Sequence, residues 1–379
     1  MPLPNERMLW VALSLTPGIA IRRIHSLIRL FGSVEAAWTG SRAELVDANV
    51  PADVIHNLIR QRETFDAAAY AQQVEAAGAT VIVYPDADYP ASLRTLPDAP
   101  PVLYVRGQML PVDARALTIV GTRRATPYGR EATRHLTSGL VAAGLTIISG
   151  LAHGIDAQAH QSALDSRGRT IAVLGCGIDR VYPHDHAALA RRIADNGAVI
   201  SEFPIGTAPE PTNFPRRNRI LSGLSLGVVI VEAPRDSGAL ITARLALDQG
   251  REVFAVPGSI FNPNSAGTHE LIGDGAKIVI DLESILEELP DIEAHRPMRA
   301  PDGQDMALAP ISDEQTALLR AFGGESIQMD TLVRAANMPA GVVAGMLGTL
   351  EIAGFIELEQ GGIYRMTRMA IHILNTLDT

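Results

Sequence analysis

Between Thr80 and Asp281 the chain alternates short, β-branched apolar runs with stretches of about the length a crossover helix needs. The candidate strands are 80–84 (TVIVY), 117–122 (LTIVGT), 146–151 (TIISGL), 170–175 (TIAVLG), 198–203 (AVISEF), 227–233 (GVVIVEA), 252–258 (EVFAVPG) and 276–281 (AKIVID). A strand that is apolar at successive positions must be covered on both faces, and strands of this kind separated by helices call for a parallel sheet between helical layers. The pattern predicts an α/β domain over 76–289 built on an extended Rossmann-like, doubly wound parallel sheet. Residues 80–116 are expected to extend one edge.

The flanks have a different period. Ile19, Ile21, Ile24, Leu27, Ile28 and Phe31 recur close to every 3.6 residues between a Pro17-Gly18 turn and Gly32-Ser33, and a second helix is expected from about Asp53 to Ala77. Residues 1–75 thus form a small helical domain of the SAM or helix-hairpin-helix kind. Residues 290–310, rich in Pro, Asp and Ala, read as a linker. Beyond it, a capping box at Ser312 and Gln315 opens helix 313–322. Helices at 330–336 and 340–353 and a hairpin turning at Gly361-Gly362 then make 311–379 a winged-helix-like domain.

Charge bears on partners. The 379 residues carry 32 Lys and Arg against 42 Asp and Glu, a net −10. An overall basic coat for polyanions is excluded, so any nucleic-acid contact must use a local cluster of cations. Lys277 is the only lysine, so a site that ordinarily uses lysine must use arginine here. Residues 311–379 hold 4 basic and 8 acidic residues, and 340–353 has neither Lys nor Arg, which suits a protein-facing module better than a duplex reader. The single Cys176 excludes a disulfide framework and fits a reducing cytoplasm. The MLWVALSL run is short and lacks a positive flank, so neither a signal peptide nor a membrane span is expected.

In a doubly wound fold ligands sit at the carboxyl ends of the strands. Those ends read GTRR (121–124), SGLAHGID (149–156), GCGIDR (175–180), SEFP (201–204), EAPRDSG (232–238) and VPGS (256–259). Glycines let backbone amides approach an anion, so several such loops on one edge point to a phosphate-bearing ligand. A dinucleotide is disfavoured because Arg180 stands where a third fingerprint glycine belongs, and the chain has no GxxxxGK[ST] loop. No cofactor is expected.

The stretch NFPRRNRILSGLS (213–225) places Arg216, Arg217 and Arg219 beside Phe214 and Asn218. Guanidinium groups grip phosphates and a neighbouring ring can stack an unpaired base, so this loop is either a nucleic-acid contact or a solvated basic face, and Arg123 is a candidate phosphate ligand; on the strand reading Arg217→Ala weakens all oligonucleotides alike. His153, Asp156 and His160 share a helical face, with His184 and His186 nearby, and read as structural rather than metal-binding. Cys176 reads as a small buried residue with no dedicated base.

The motifs SGLAHGIDAQAHQSAL, FPRRNRILSGLS, VVIVEAPRDSGALITARLAL and REVFAVPGS, in this order and spacing, closely resemble the DprA/Smf family of DNA-processing proteins. LTPGIAIRRIHSLIRLFGS is similar to that family's N-terminal SAM-like domain. The resemblance implies single-stranded DNA binding, a homodimer through the Rossmann-like domain, and delivery of the strand to the recombinase RecA during natural transformation, without catalysis. By motif it implies phosphate contacts at Arg123, Arg216, Arg217 and Arg219, base contacts at Phe214 and Asn218, and close backbone approach at Gly150, Gly177, Ser237 and Gly238. His184 and His186 stand where members often have lysine and asparagine, and Pro211 where some have lysine. The sheet also resembles the cytokinin-activating phosphoribohydrolases (the LOG-like group), but DSGALITARLAL lacks the glutamate that follows their Gly-rich turn. Glu202 and Glu232 are left as the carboxylates able to substitute for it.

Overall fold

The computed structural model describes residues 5–289, 312–322, 326–352, 355–359, 363–367, 370 and 374. The expected linker 290–310 and the Gly361-Gly362 turn lie outside the described residues. The chain forms two compact units, Met1–Pro297 and Met298–Thr379.

The first unit opens with α1 (Glu6–Ser14), whose residues Met8 to Leu13 are all buried, so the apolar MLWVALSL run is a core helix. Then come α2 (Ile21–Phe31), ended by Gly32 at φ 89°, α3 (Val34–Thr39) and α4 (Arg42–Asp47). The single helix expected over 53–77 is two, α5 (Ala52–Thr64) and α6 (Ala67–Ala76). Asp66 leaves helical geometry and its side chain accepts the amides of Ala68 and Ala69, which starts a new helix. These helices share one apolar cluster with the sheet, in which Trp10, Leu13, Trp38 and Leu58 meet Val81, Tyr104 and Leu174.

The sheet follows as β1 (Thr80–Val83), α7 (Ala91–Arg94), β2 (Val102–Gly107), β3 (Ala116–Val120), α8 (Pro127–Ala142), β4 (Thr146–Ser149), α9 (Ile155–Asp165) and β5 (Thr170–Val173). It continues through α10 (Ala187–Asn196), β6 (Gly197–Ser201), α11 (Asn213–Gly223), β7 (Gly227–Ile230), α12 (Gly238–Asp248), β8 (Glu252–Ala255), α13 (Ala266–Gly273), β9 (Lys277–Ile278) and α14 (Glu283–Leu286). Spatial order is β1-β2-β6-β5-β4-β3-β7-β8-β9. Strands from β6 to β9 run parallel, whereas β2 pairs antiparallel with both β6 and β1, forming the edge extension. Every residue of β3 to β7 is buried, as continuous apolar runs between helical layers require. The AKIVID run yields only a two-residue edge strand, both residues exposed.

From β3 the sheet grows in one direction through β4, β5 and β6, then β7 returns to the other side of β3. The order therefore reverses between β3 and β7, the switch point at whose carboxyl ends a doubly wound sheet places its ligand crevice. At the amino ends one carboxylate gathers three strands. Asp113, just before β3, accepts Arg169 Nε at 2.9 Å and Nη2 at 2.8 Å, Thr146 Oγ1 at 2.9 Å and the Leu110 amide at 2.7 Å.

The second unit packs α15 (Asp313–Arg320), α16 (Met329–Ala336) and α17 (Ala340–Ile352) around Leu318, Leu332, Leu347 and Phe355. Its sheet places β12 (Ile363–Met366) between β10 (Ser326–Gln328) and β11 (Ile356–Glu359). The Ser312–Gln315 capping box is formed. Strand β10 was not legible in the sequence, being three residues long. Among the described residues no helix is long and apolar enough to cross a membrane.

Asp113→Ala strands the Arg169 guanidinium and Thr146 hydroxyl at the amino edge. It is expected to lower the unfolding free energy by about 3 kcal/mol, measured by urea denaturation, because removing one partner of a buried pair leaves the other uncompensated.

Candidate nucleic-acid interface

The crevice is a cleft of about 550 Å³ lined by the loops after β3 and β7, the first turns of α11 and α12, and parts of the loops after β4 and β5. The two loops at the switch point are zipped together: the Thr122 amide donates to the Glu232 carbonyl at 2.6 Å. The Glu232 carboxylate, itself buried, accepts the Thr126 amide at 2.9 Å and hydroxyl at 2.6 Å where α8 begins. Gly129, in the next turn, has no room for a Cβ because that carboxylate occupies the space.

The loop after β4 turns sharply, with Leu151 at φ 58° and Gly154 at φ 78°. Asp156, in the first turn of α9, holds it from below by accepting the amides of Gly150 at 3.0 Å and Ala152 at 3.5 Å. Burial raises the Asp156 pKa, opposed by the Arg217 charge and these amides.

Arg217 is almost wholly buried under the strand ends and donates to the carbonyls of Gly150, at 2.9 Å, and Val173. Burial pushes its pKa down to about 10, which leaves it charged at neutral pH, with Asp156 supporting the charge. Gly150 must be glycine here because a Cβ would lie 2.5 Å from the guanidinium. The expectation that Arg217 grips a phosphate directly has to be set against this position: its side chain lies in the floor of the cleft and is already bonded.

The remaining predicted residues divide. Arg123 is exposed, with Cζ 5.7 Å from the centroid of the Phe214 ring. Phe214 is half-buried over Gly175, where a Cβ would lie 2.7 Å from the ring, and the Tyr182 ring stands 5.6 Å from it at 44°. Asn218 accepts from Arg217 Nε at 3.3 Å and donates to the Gly238 carbonyl at 3.3 Å, tying α11 to α12. Ser237 caps α12 by accepting the Ala239 amide, and a side chain at Gly238 would meet open space. Arg123, Phe214, Arg217, Asn218, Ser237 and Gly238 thus converge on one cleft.

The other four do not line it. Arg219 is held by Glu202 at 2.6 and 3.1 Å and by Asp98 at 3.0 Å. Arg216 is exposed with Cζ 5.3 Å from the Phe203 ring centroid. Gly150 packs on Arg217. Gly177 is confined by its own loop, a Cβ there falling 2.5 Å from Asp179 Oδ1 and 2.6 Å from the Pro204 carbonyl. Two contributors were not singled out from the sequence as ligand residues, Tyr182 and Asp156. An aromatic residue just beyond the β5 end was the available signal for Tyr182; Asp156 offered none, since its partner lies far along the chain. His160 is a core residue, its Nδ1 2.7 Å from Thr170 Oγ1 and its pKa pushed down by burial to about 3. Burial pushes the Cys176 thiol up to about 11, which suits a packing role.

The sequence profile described as DNA recombination-mediator protein A matches residues 80–290, and a DprA winged-helix profile matches 302–362. Protein Smf of Escherichia coli K12 is 44% identical over 296 residues, covering 76% of this chain and 77% of its own length. The X-ray structure of DprA from Streptococcus pneumoniae superposes with a TM-score of 0.68 at 31% identity, covering 76% of this chain and 99% of that one. A Helicobacter pylori DprA structure, described for its single-stranded DNA binding mode, has a TM-score of 0.50 at 31% identity, over 55% of this chain and 95% of that one. With its sheet and its winged helix both matched, the chain belongs to the DNA recombination-mediator protein A (DprA/Smf) family.

Proposed function

We propose that this recombination mediator binds single-stranded DNA across the switch-point cleft, acts as a homodimer through its sheet domain, and passes the strand to a RecA-class recombinase without catalysing a reaction on it. The observation that carries the reading is the cluster of Arg123, Phe214 and Tyr182. An exposed guanidinium over one ring with a second ring beside it offers a phosphate contact and a stacking face together, the combination unpaired strands need. Duplex DNA presents its bases already stacked and has no use for the second part. The H. pylori relative's binding mode supports the same ligand. Helix α17, free of Lys and Arg, supports a protein-facing winged helix.

A phosphoribohydrolase reading needs an available carboxylate, and the two at strand ends are engaged: Glu202 with Arg219, and Glu232 with Thr126. The dimer is supported by the open edge at β9, where Ile278 is 46% exposed and Ile280, just beyond it, 75%.

Fluorescence anisotropy with labelled oligo-dT and a matched duplex at two salt concentrations tests the site. Arg123→Ala is expected to weaken strand binding by roughly 1.5–3 kcal/mol, the range for one charge-assisted bond, and to reduce the salt slope by about 0.7. Phe214→Ala is expected to cost about 1–3 kcal/mol through lost stacking. Wild-type affinity in Arg123→Ala would remove the cleft from consideration. Arg217→Ala should instead show itself in urea denaturation, losing about 1–3 kcal/mol of stability because the buried Gly150 and Val173 carbonyls lose their donor and Asp156 its nearby positive charge. For the dimer, Ile280→Glu is expected to run as a monomer in light scattering after size exclusion; an intact dimer would place the interface elsewhere.

A further inference from the structure

Two histidines and an aspartate that take no part in the cleft chemistry converge at its rim. His153 follows the cleft residue Ala152 in the loop after β4, and Asp185 and His186 lie in the 3-10 turn His184–His186 after β5. One ligand atom from each of His153, Asp185 and His186 lies within 4.8 Å of the other two. His153 Nε2 is 3.8 Å from Asp185 Oδ1, and the two imidazole rings stand edge to face with centroids 4.7 Å apart.

The tautomer of His186 follows from its neighbour. Its Nδ1 lies 2.9 Å from the Leu151 carbonyl oxygen, which can only accept, so Nδ1 carries the proton and Nε2 carries the free lone pair. Metal-binding histidines are commonly fixed in this way, one nitrogen donating to a backbone carbonyl while the other ligates. The acceptor is itself well fixed, since Leu151 is fully buried in the loop that Asp156 anchors from below.

We propose that His153, Asp185 and His186 form a site for a divalent transition-metal ion of the Zn²⁺ type. Two imidazoles and one carboxylate suit Zn²⁺, Co²⁺ or Ni²⁺, whereas Mg²⁺ and Ca²⁺ prefer an all-oxygen set. Ligand atoms about 2.0–2.2 Å from a tetrahedral ion lie roughly 3.4 Å from one another, so the widest separation here must close by about 1.4 Å. The side chains that have to move are free to do so, His153 being 51% and Asp185 67% exposed. A bound ion would tie the loop after β4 to the turn after β5. Its fourth position is left to water.

The test uses untagged, chelator-stripped full-length protein, titrated with Zn²⁺ by calorimetry and with Co²⁺ by visible absorption. One ion per chain is expected, with the intense d–d bands of low-coordinate Co²⁺ and a rise in melting temperature on Zn²⁺ addition. His153→Ala and Asp185→Asn should each lose the binding step and the melting shift while melting like the wild type in chelator. His184→Ala, altered in the same turn but outside the set, should keep both. Absence of stoichiometric binding by the wild type overturns the proposal, as does binding that survives His153→Ala and Asp185→Asn, or that is lost in His184→Ala.

Discussion

A guanidinium buried beneath the carboxyl ends of the central strands shapes what lies above it. Arg217 reaches from α11 to the last carbonyl of β5 and to the carbonyl of Gly150 after β4, joining three elements that meet nowhere in sequence. Burying such a charge costs several kcal/mol unless its donors are satisfied and a countercharge is near. Here carbonyls accept, Asn218 adds a third acceptor, and Asp156 supplies the negative charge while its own oxygens take the loop amides. The arrangement explains why Gly150 cannot carry a side chain and why the loop can hold the turn at Leu151.

With that floor in place, part of the cation set near the strand ends is already spent. Arg219 is held by Glu202 and Asp98, and Arg169 by Asp113. Among the described residues Arg123 and Arg216 form no ion pair; each rests instead over an aromatic ring. Stacking of this kind limits where a guanidinium wanders yet leaves its N–H edges unspent, so it pre-places a phosphate donor at little cost in side-chain entropy. The glycine beneath Phe214 serves the same end, because Gly175 lets the ring sit against the strand end.

The fold was largely legible from periodicity. The eight apolar runs became strands β1 and β3 to β9, and β2, not singled out as a strand, lies within the expected 80–116 edge extension. The errors were local. One long helix became α5 and α6 because a single aspartate, Asp66, competes for the backbone amides, and AKIVID shrank to two residues at an open edge that offers partners on one side only. Of the ten residues expected to contact a strand, six line one cleft and four lie outside it. The arginine run alone does not show that Arg217 bonds carbonyls under the sheet while Arg219 pairs with Glu202 and Asp98, because residues two apart on a helix point in different directions.

What the sequence alone determined is whatever depends on local period and residue chemistry: the parallel sheet, its helical layers, the glycine-bearing strand ends, and the presence of aromatic residues among arginines. Tertiary structure decided which of those arginines would face a ligand. It also decided that Tyr182 would stand beside Phe214 and that His153 would meet Asp185 and His186. The reason is that a charge is spent or left free according to its partners in space, and here those partners arrive on strands and loops far apart in the chain.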